Sequence, residues 1–418
     1  MEGVGPGKES VRCMRLPLTF VRAFALSFLH RIVHARAIHQ RQATVEPVAT
    51  RMRASVIAAL TLASAVPAAL AQHASPASDD SSSVAISSTQ DAQPPGRRSP
   101  WMAVPLVSSN PKLGTSVGVL GAYVTVFDPG SRVSLIGAMY QYTSTESSIG
   151  GLVARTSFGA DHHRVIGIAA FGLIKNDYQD YLGTGQPLKT NDDLKSVAGR
   201  YLYRVRGDWF LGAQGNAANY QVLGATPEDD LVLETLGVRG FKSAALGAVV
   251  MHDSRDSLDM PTGGWYANVN NLAYREALGG ENSFDAYRAD SRIFVKHKGK
   301  HVLAFRQYNW LTHDAPAGAQ ASVALRGYKF GQYLAPYMSS FEAEERLLFG
   351  RRWGATLFGG FAGLYGTSAT PLDRHTYPMF GAGLQFIIMP DKHMLASFEY
   401  AQGIEDNHGL LLKLGYAW

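Results

Sequence analysis

The residues Leu410-Leu411-Leu412-Lys413-Leu414-Gly415-Tyr416-Ala417-Trp418 close the 418-residue chain. Positions 410, 412, 414, 416 and 418 form an unbroken apolar face, while Lys413 and Gly415 fall between them. Side chains on an extended backbone alternate between two faces, so this period of two specifies a strand with one apolar side. Working back from it, the same texture extends to Trp101. No uninterrupted apolar run long enough for a membrane-spanning helix occurs there, and helical periodicity is absent. Instead, segments rich in Gly, Ala, Val, Leu, Phe and Tyr alternate in polarity and end at turns. Sixteen such segments are read at 101–108, 113–127, 132–143, 147–158, 163–175, 194–206, 208–221, 239–254, 263–275, 283–297, 301–313, 336–348, 353–366, 377–389, 392–402 and 408–418. One face suited to lipid and one to a polar lumen, repeated an even number of times, predicts an all-β, 16-stranded antiparallel transmembrane β-barrel.

The connections carry a second signal. With the first connection taken as outer, most of the even-numbered ones are tight, such as 128–131, 159–162, Gly207 and 298–300, with 255–262 longer. The odd-numbered ones include 176–193, 222–238, 314–335 and 367–376. Short turns at one end and long loops at the other are the asymmetry of outer-membrane barrels, whose short turns face the periplasm. Barrel closure is expected, because an open sheet edge in hydrocarbon leaves backbone groups unpaired. Tyr416 and Trp418 would then sit in the aromatic girdle at the inner interface.

Upstream of the barrel segments the composition changes. Met52-Arg53 is a short basic start, residues 54–70 are apolar and alanine-rich, and Ala69-Leu70-Ala71 supplies small residues at cleavage spacing. This reads as a secretory signal peptide over 52–71. Residues 1–51 lie ahead of where an export signal belongs and are read as a non-native upstream extension, with an Arg-rich transit peptide as the rival reading. Residues 72–100, Ser-rich with Pro94-Pro95 and Arg97-Arg98, read as a disordered linker. The basic isoelectric point is a property of this leader. Nine of the 39 Lys/Arg and three of the 34 acids fall in residues 1–71, which leaves 30 against 31 in the remainder. A near-neutral body carries no nucleic-acid footprint. Cys13, the one cysteine, also lies in the leader, so the body has no disulfide or thiolate chemistry.

One stretch interrupts the alternation where five segments remain: Ala324-Leu325-Arg326-Gly327-Tyr328, followed by Lys329-Phe330-Gly331-Gln332-Tyr333. Gly327 frees the backbone, Tyr328 supplies an anchor, and Arg326 carries a fixed charge that needs an acidic partner. In Phe341-Glu342-Ala343-Glu344-Glu345-Arg346, alternation puts Glu342, Glu344 and Arg346 on one face, which makes them the candidate partners. A third cluster, His252-Asp253-Ser254-Arg255-Asp256 with Pro261-Thr262-Gly263-Gly264, has the make-up of a turn tied by local ion pairs.

These three clusters, in this order, resemble motifs of the BamA/TamA-type bacterial surface-antigen barrels. Leu325-Arg326-Gly327-Tyr328 resembles that family's Val-Arg-Gly-Phe/Tyr in its sixth outer loop, and Glu344-Glu345-Arg346 its Glu-x-Arg. The stretch with Asp253, Arg255, Asp256, Pro261 and Gly263, ending at Gly264, resembles its Asp-x-Arg-Asp…Pro-Thr-x-Gly inner turn. The aromatic chain end at Trp418, with Tyr416, resembles the terminal assembly signal of such barrels, although Gly415 is displaced from its usual place. The resemblance covers about 101–418. Two departures stand out. The family's Phe-x-Asp-x-Gly is represented by Leu357-Phe358-Gly359-Gly360-Phe361-Ala362-Gly363, with no carboxylate, so Glu342 or Glu344 is expected to take the arginine. The short 72–100 linker also leaves no room for the family's periplasmic docking (POTRA) domains.

The resemblance implies a non-enzymatic part in outer-membrane biogenesis or homeostasis, with outer-membrane lipid and lipopolysaccharide around the barrel. Client outer-membrane or exported proteins, and assembly machinery at the last strand, are the expected partners; no nucleic acid or cofactor is expected. A passive or loop-plugged pore is the alternative, and an outer-membrane hydrolase a further one. Arg326 is open to two readings, a lock on the lumen or an ion pair that only fixes loop register. Gly114-Thr115-Ser116-Val117-Gly118 matches the serine-nucleophile pattern, but that pattern needs a strand–turn–helix context. The histidines at 162, 163, 252, 297, 301 and 313 show no spacing to a nucleophile and no metal-ligand pattern. Glu228, Asp229 and Asp230 read as a solvated acidic loop, with divalent-cation binding as the sharper alternative.

Overall fold

The computed structural model describes residues 100–110, 113–178, 181, 187–257, 260–299, 301–349, 352–366, 375–389 and 394–414. The segments read as upstream extension, signal peptide and, apart from Pro100, linker lie outside the described residues, as do Tyr416 and Trp418. Each of the sixteen sequence segments corresponds to a strand of one antiparallel sheet. The first eight are β1 (Trp101–Asn110), β2 (Gly114–Thr125), β3 (Ser134–Thr143), β4 (Ser148–Phe158), β5 (His163–Tyr178), β6 (Leu188–Arg206), β7 (Trp209–Gly224) and β8 (Phe241–Asp253). Next come β9 (Gly264–Tyr274), β10 (Phe284–His297) and β11 (His301–His313). A two-residue hairpin, β12 (Ala321–Ser322) with β13 (Leu334–Ala335), forms a separate small sheet inside the connection that follows. The large sheet resumes with β14 (Tyr337–Phe349), β15 (Trp353–Tyr365), β16 (Thr376–Met389), β17 (Met394–Gln402) and β18 (His408–Leu414).

Every strand of the large sheet pairs with its neighbour in sequence, with β11 pairing β14 across the hairpin loop. The ends of the sheet come together, β1 approaching within 8 Å of β18. Among the described residues no hydrogen-bonded ladder joins those two strands, so the barrel has a seam where full closure was expected.

The polarity of the sheet is inverted relative to a water-soluble protein. In β2, Val117, Val119 and Tyr123 point outward and Ser116, Leu120 and Ala122 inward; in β10, Tyr287, Ile293 and Val295 point outward and Asp290 and Arg292 inward. Exposed large apolar side chains and buried Gln141, Asn216, Gln214, Arg200 and Gln385 recur around the barrel. Only a solvent of hydrocarbon makes that arrangement favourable. At the short-turn end, exposed Phe158, Tyr203, Trp209, Trp265, Phe349 and Trp353 form an aromatic band. Among the described residues no helix is long and apolar enough to cross a membrane.

Two regions differ from the sequence reading. β6 starts at Leu188 rather than 194, because Thr190 and Asp192 turn inward and bond Asn176 of β5, extending that hairpin beyond its apolar part. The 222–238 loop contains a helix, α1 (Pro227–Thr235), with Thr226 and Asp229 forming a capping box. Its three acids occupy the first turn, where the backbone N–H groups favour negative charge. Asp229 caps the helix, and Asp230 accepts from Gly224 N at 3.2 Å and pairs with Arg239. The acidic run therefore has a local structural role.

Candidate functional site

The connection from β11 to β14 folds into the barrel instead of projecting outward. Leu325, Tyr328 and Tyr333 are buried in one apolar cluster with Trp310, Met338, Phe358 and Tyr377, which belong to β11, β14, β15 and β16. At the tip Gly327 has φ +88° and lies so close to β17 that a Cβ would meet Ala401 O at 3.1 Å. The left-handed backbone calls for glycine, and the tight approach to Ala401 favours it further. Tyr328 is the anchor. Its hydroxyl donates to Pro378 O (2.7 Å) and accepts from Ile404 N (3.1 Å), and its ring fills the space a Cβ at Gly403 would take. The Tyr333 hydroxyl accepts from Asn407 Nδ2 at 3.1 Å, and Lys329 Nζ donates to Asp177 O at 2.6 Å.

Arg326 sits at the centre. Its Nη1 donates to Glu344 Oε2 at 2.7 Å and to Glu399 Oε2 at 3.2 Å. Its Nε stands 3.4 Å from Glu342 Oε2, within ion-pair range but misaligned for a hydrogen bond. The guanidinium carbon lies over the Phe358 ring, 3.6 Å from its centroid. Such stacking suits a delocalised cation in a site short of water. Arg326 thus meets Glu342 and Glu344, the two acids that alternation placed on one face of β14. Glu399, on β17, was not foreseen. No local pattern marks it, since it lies 73 residues away on a strand two places beyond β15 in the sheet. Phe358 occupies the strand where the resembled family has its aspartate, and it meets the arginine through its ring.

The Arg326 cluster belongs to a longer chain of charges. Arg292 pairs with Asp290 (2.6 Å), Asp290 with Arg306 (2.9 Å), and Arg306 with Glu342 (3.6 Å), directly opposite it in the β11–β14 register. Glu342 and Glu344 both reach Arg326, and Glu344 Oε1 accepts from Arg346 Nε at 2.7 Å. Arg346 also donates to Pro261 O at 3.3 Å. The three sequence clusters are therefore physically continuous, from Arg326 through Glu344 and Arg346 to the 254–263 turn. Within that turn Arg255 holds Asp253 through Nε (2.8 Å) and Nη2 (3.3 Å). Asp256 accepts from Thr262 N (2.8 Å) and Thr262 Oγ1 (2.5 Å); burial raises its carboxyl, but these bonds win and hold it below the ordinary range. Gly263 meets only Asp256 Oδ2, at an ordinary 3.8 Å from its would-be Cβ. The glycine requirement falls on Gly264, with φ +93° and Ser254 O only 2.2 Å from a would-be Cβ.

The alternatives raised for catalysis land in structural positions. Ser116 lies within β2, away from any strand–helix turn. His163 hydrogen-bonds with Tyr201 OH (2.7 Å), His297 with Glu345 (2.8 Å), and His252 stacks on Trp265. Among the described residues no group of His, Cys, Asp and Glu could hold a metal ion.

No protein-family model matches the chain, and no curated protein matches it by sequence. Solved structures do match. BamA from Haemophilus ducreyi lacking POTRA domains 1–3 aligns with TM-score 0.53 at 12% identity, over 76% of this chain and 70% of that one. CdiB from Escherichia coli aligns with TM-score 0.54 at 12% identity, over 78% and 64%. CdiB from Acinetobacter baumannii gives TM-score 0.51 at 9% identity, over 76% and 59%. The chain thus spans about two thirds of the length of these proteins, and at such identities the likeness is one of fold: this is a β-barrel of the kind that BamA and CdiB form.

Proposed function

We propose that the chain is an outer-membrane barrel with a non-enzymatic part in outer-membrane biogenesis or homeostasis, and that the Arg326 loop is its internal lock. The observation that carries this reading is a single buried guanidinium joining carboxylates of β14 and β17 while resting on β15. Loop and final strands are thereby held as one unit beside the β1–β18 seam. A loop needing only a fixed register would be satisfied by one carboxylate. The fold shared with BamA and CdiB supports a role with client outer-membrane or exported proteins, in contact with lipid and lipopolysaccharide. The test is a quantitative outer-membrane proteome of a strain lacking this gene, complemented with wild type or Arg326→Ala at matched barrel levels. A defined set of barrels or exported proteins is expected to fall in the deletion strain and to stay low with Arg326→Ala. An unchanged proteome overturns the reading.

A second reading, a loop-plugged pore, is favoured by the apolar cluster that fixes the loop inside the barrel. It predicts low conductance of the purified barrel in planar bilayers, and large open-channel events from Arg326→Ala.

A further inference from the structure

Toward the long-loop end, the inner face of β10 and β11 holds a pair of side chains that can only donate. Arg288 of β10 and Trp310 of β11 stand directly opposite each other in the strand register. The Arg288 guanidinium carbon lies over the indole, 4.4 Å from the ring centroid. Trp310 is 2% exposed and belongs to the cluster that receives the Arg326 loop, where Phe330 stacks on it at 5.7 Å.

The two side chains cannot satisfy one another. Guanidinium and indole N–H groups have no acceptor to offer, and the ring face attracts the cation without supplying one. Arg288 Nε and Trp310 Nε1 are both buried with no hydrogen-bond partner. Among the described residues Arg288 makes neither a hydrogen bond nor an ion pair; its one specific contact is the indole ring. The side-chain acceptors that flank it on β9 and β10 are engaged elsewhere. Asn270, which faces Arg288 from β9, accepts from Gln214 Nε2 at 3.0 Å and donates to Asn268 at 3.2 Å. Asp290, the carboxylate on the same face of β10, is held by Arg292 through two bonds and by Arg306 through two more. The loop packed against Trp310 brings no acid, since residues 317–335 contain neither Asp nor Glu.

Water can meet an N–H, but it leaves a guanidinium charge unopposed beside an apolar cluster, and such a charge is stable only when opposed and hydrogen-bonded. A carboxylate does both. Its two oxygens accept from one guanidinium edge and keep lone pairs for an indole N–H. Arg288 itself is only half-buried, which leaves the pair open to the lumen.

We propose that Arg288 and Trp310 form a binding site for a carboxylate group on the inner wall of the barrel, beside the Arg326 loop. A small organic acid and an acidic side chain of a polypeptide offer the same chemistry.

The test uses the purified, folded barrel in a neutral detergent and follows the Trp310 indole N–H by proton–nitrogen NMR, the signal being assigned by its loss in Trp310→Phe. The protein is titrated at constant ionic strength with sodium acetate, with acetamide as the neutral control, and with an end-blocked Gly-Asp-Gly peptide. A saturable shift with acetate or the peptide, and none with acetamide, is expected. Loss of the charge-assisted contact in Arg288→Gln should weaken that binding about tenfold or more. Heat-modifiability on gels reports that the variant is folded, and Arg288→Lys, which keeps the charge without the fork, should fall between. Response to acetate alone would assign the site to a small acid, to the peptide alone to a polypeptide segment, and to both to the carboxylate group itself. Absence of a saturable shift with either, an equal shift with acetamide, or affinity unchanged in folded Arg288→Gln would overturn the proposal.

Discussion

The two charged regions of this barrel solve the same problem in different ways. Around Arg326, the residues Arg292, Arg306, Arg326 and Arg346 alternate with Asp290, Glu342, Glu344 and Glu399 along one connected path. At the short-turn mouth, Arg132, Arg164, Arg204 and Arg255 share Asp161 and Asp253. A buried charge is tolerable only when opposed and hydrogen-bonded. The balanced network meets that demand internally, so its business is to hold protein to protein. At the short-turn mouth each carboxylate is instead shared among several guanidinium groups, so the demand is met by sharing more than by one-to-one pairing.

The largest expected break in this contrast is Arg326→Ala. It removes a cation shared by three carboxylates, and removing one partner of a buried pair costs about 3–5 kcal/mol. Urea unfolding of the barrel in detergent should register that loss, with Arg326→Lys recovering part of it, since an ammonium keeps the charge but not the stacked fork on Phe358. A smaller loss is expected from Tyr328→Phe, which leaves Pro378 O and Ile404 N without their hydroxyl; about 1–3 kcal/mol follows from unsatisfied buried groups. Protease accessibility of the 314–336 loop is the sharper readout here, because the anchor is lost while the charges stay. Glu399→Gln should cost less than Arg326→Ala, since Glu344 keeps the shorter bond to the arginine. Equal costs would show that the β17 contact dominates the lock.

The smallest expected effect tests the mouth. Burial raises the Asp161 carboxyl, but Arg164, Arg132 and Ser157 outweigh it and bring the group down to about 2 from an ordinary 3.8. A carboxyl depressed by folding stabilises the folded state above its unfolded value, and that contribution is lost as pH falls from about 3.8 through about 2. Wild type should therefore lose stability over that window. Asp161→Asn should start less stable at neutral pH and show a flatter acid limb in pH-dependent unfolding. An identical acid limb in the two proteins would remove Asp161 from the cluster's electrostatics.

Much of the barrel was legible because its signals are local. Alternation at each segment fixed the strand count, and tight turns such as 159–162 and Gly207 fixed which ends lie together. Glu342, Glu344 and Arg346 could be put on one face because a period of two operates within a single strand. The helix over Pro227–Thr235 was missed, although Thr226 followed by Pro227 and Asp229 is a capping signature; in a run of exposed acids the composition spoke louder than the cap.

What the sequence determined by itself was the inventory: sixteen strands with inverted polarity, a loop arginine in want of carboxylates, and a Pro-Thr-Gly-Gly turn. What only the tertiary structure decided was who meets whom across strands. Glu399 reaches Arg326, Phe358 lies beneath it, Arg346 bridges to Pro261, and Arg132 joins Arg164 around Asp161 and Asp253. The physical reason is that alternation assigns a side chain to a face of its own strand, whereas the curl of the sheet and the inward fold of the loop determine which faces come within bonding distance.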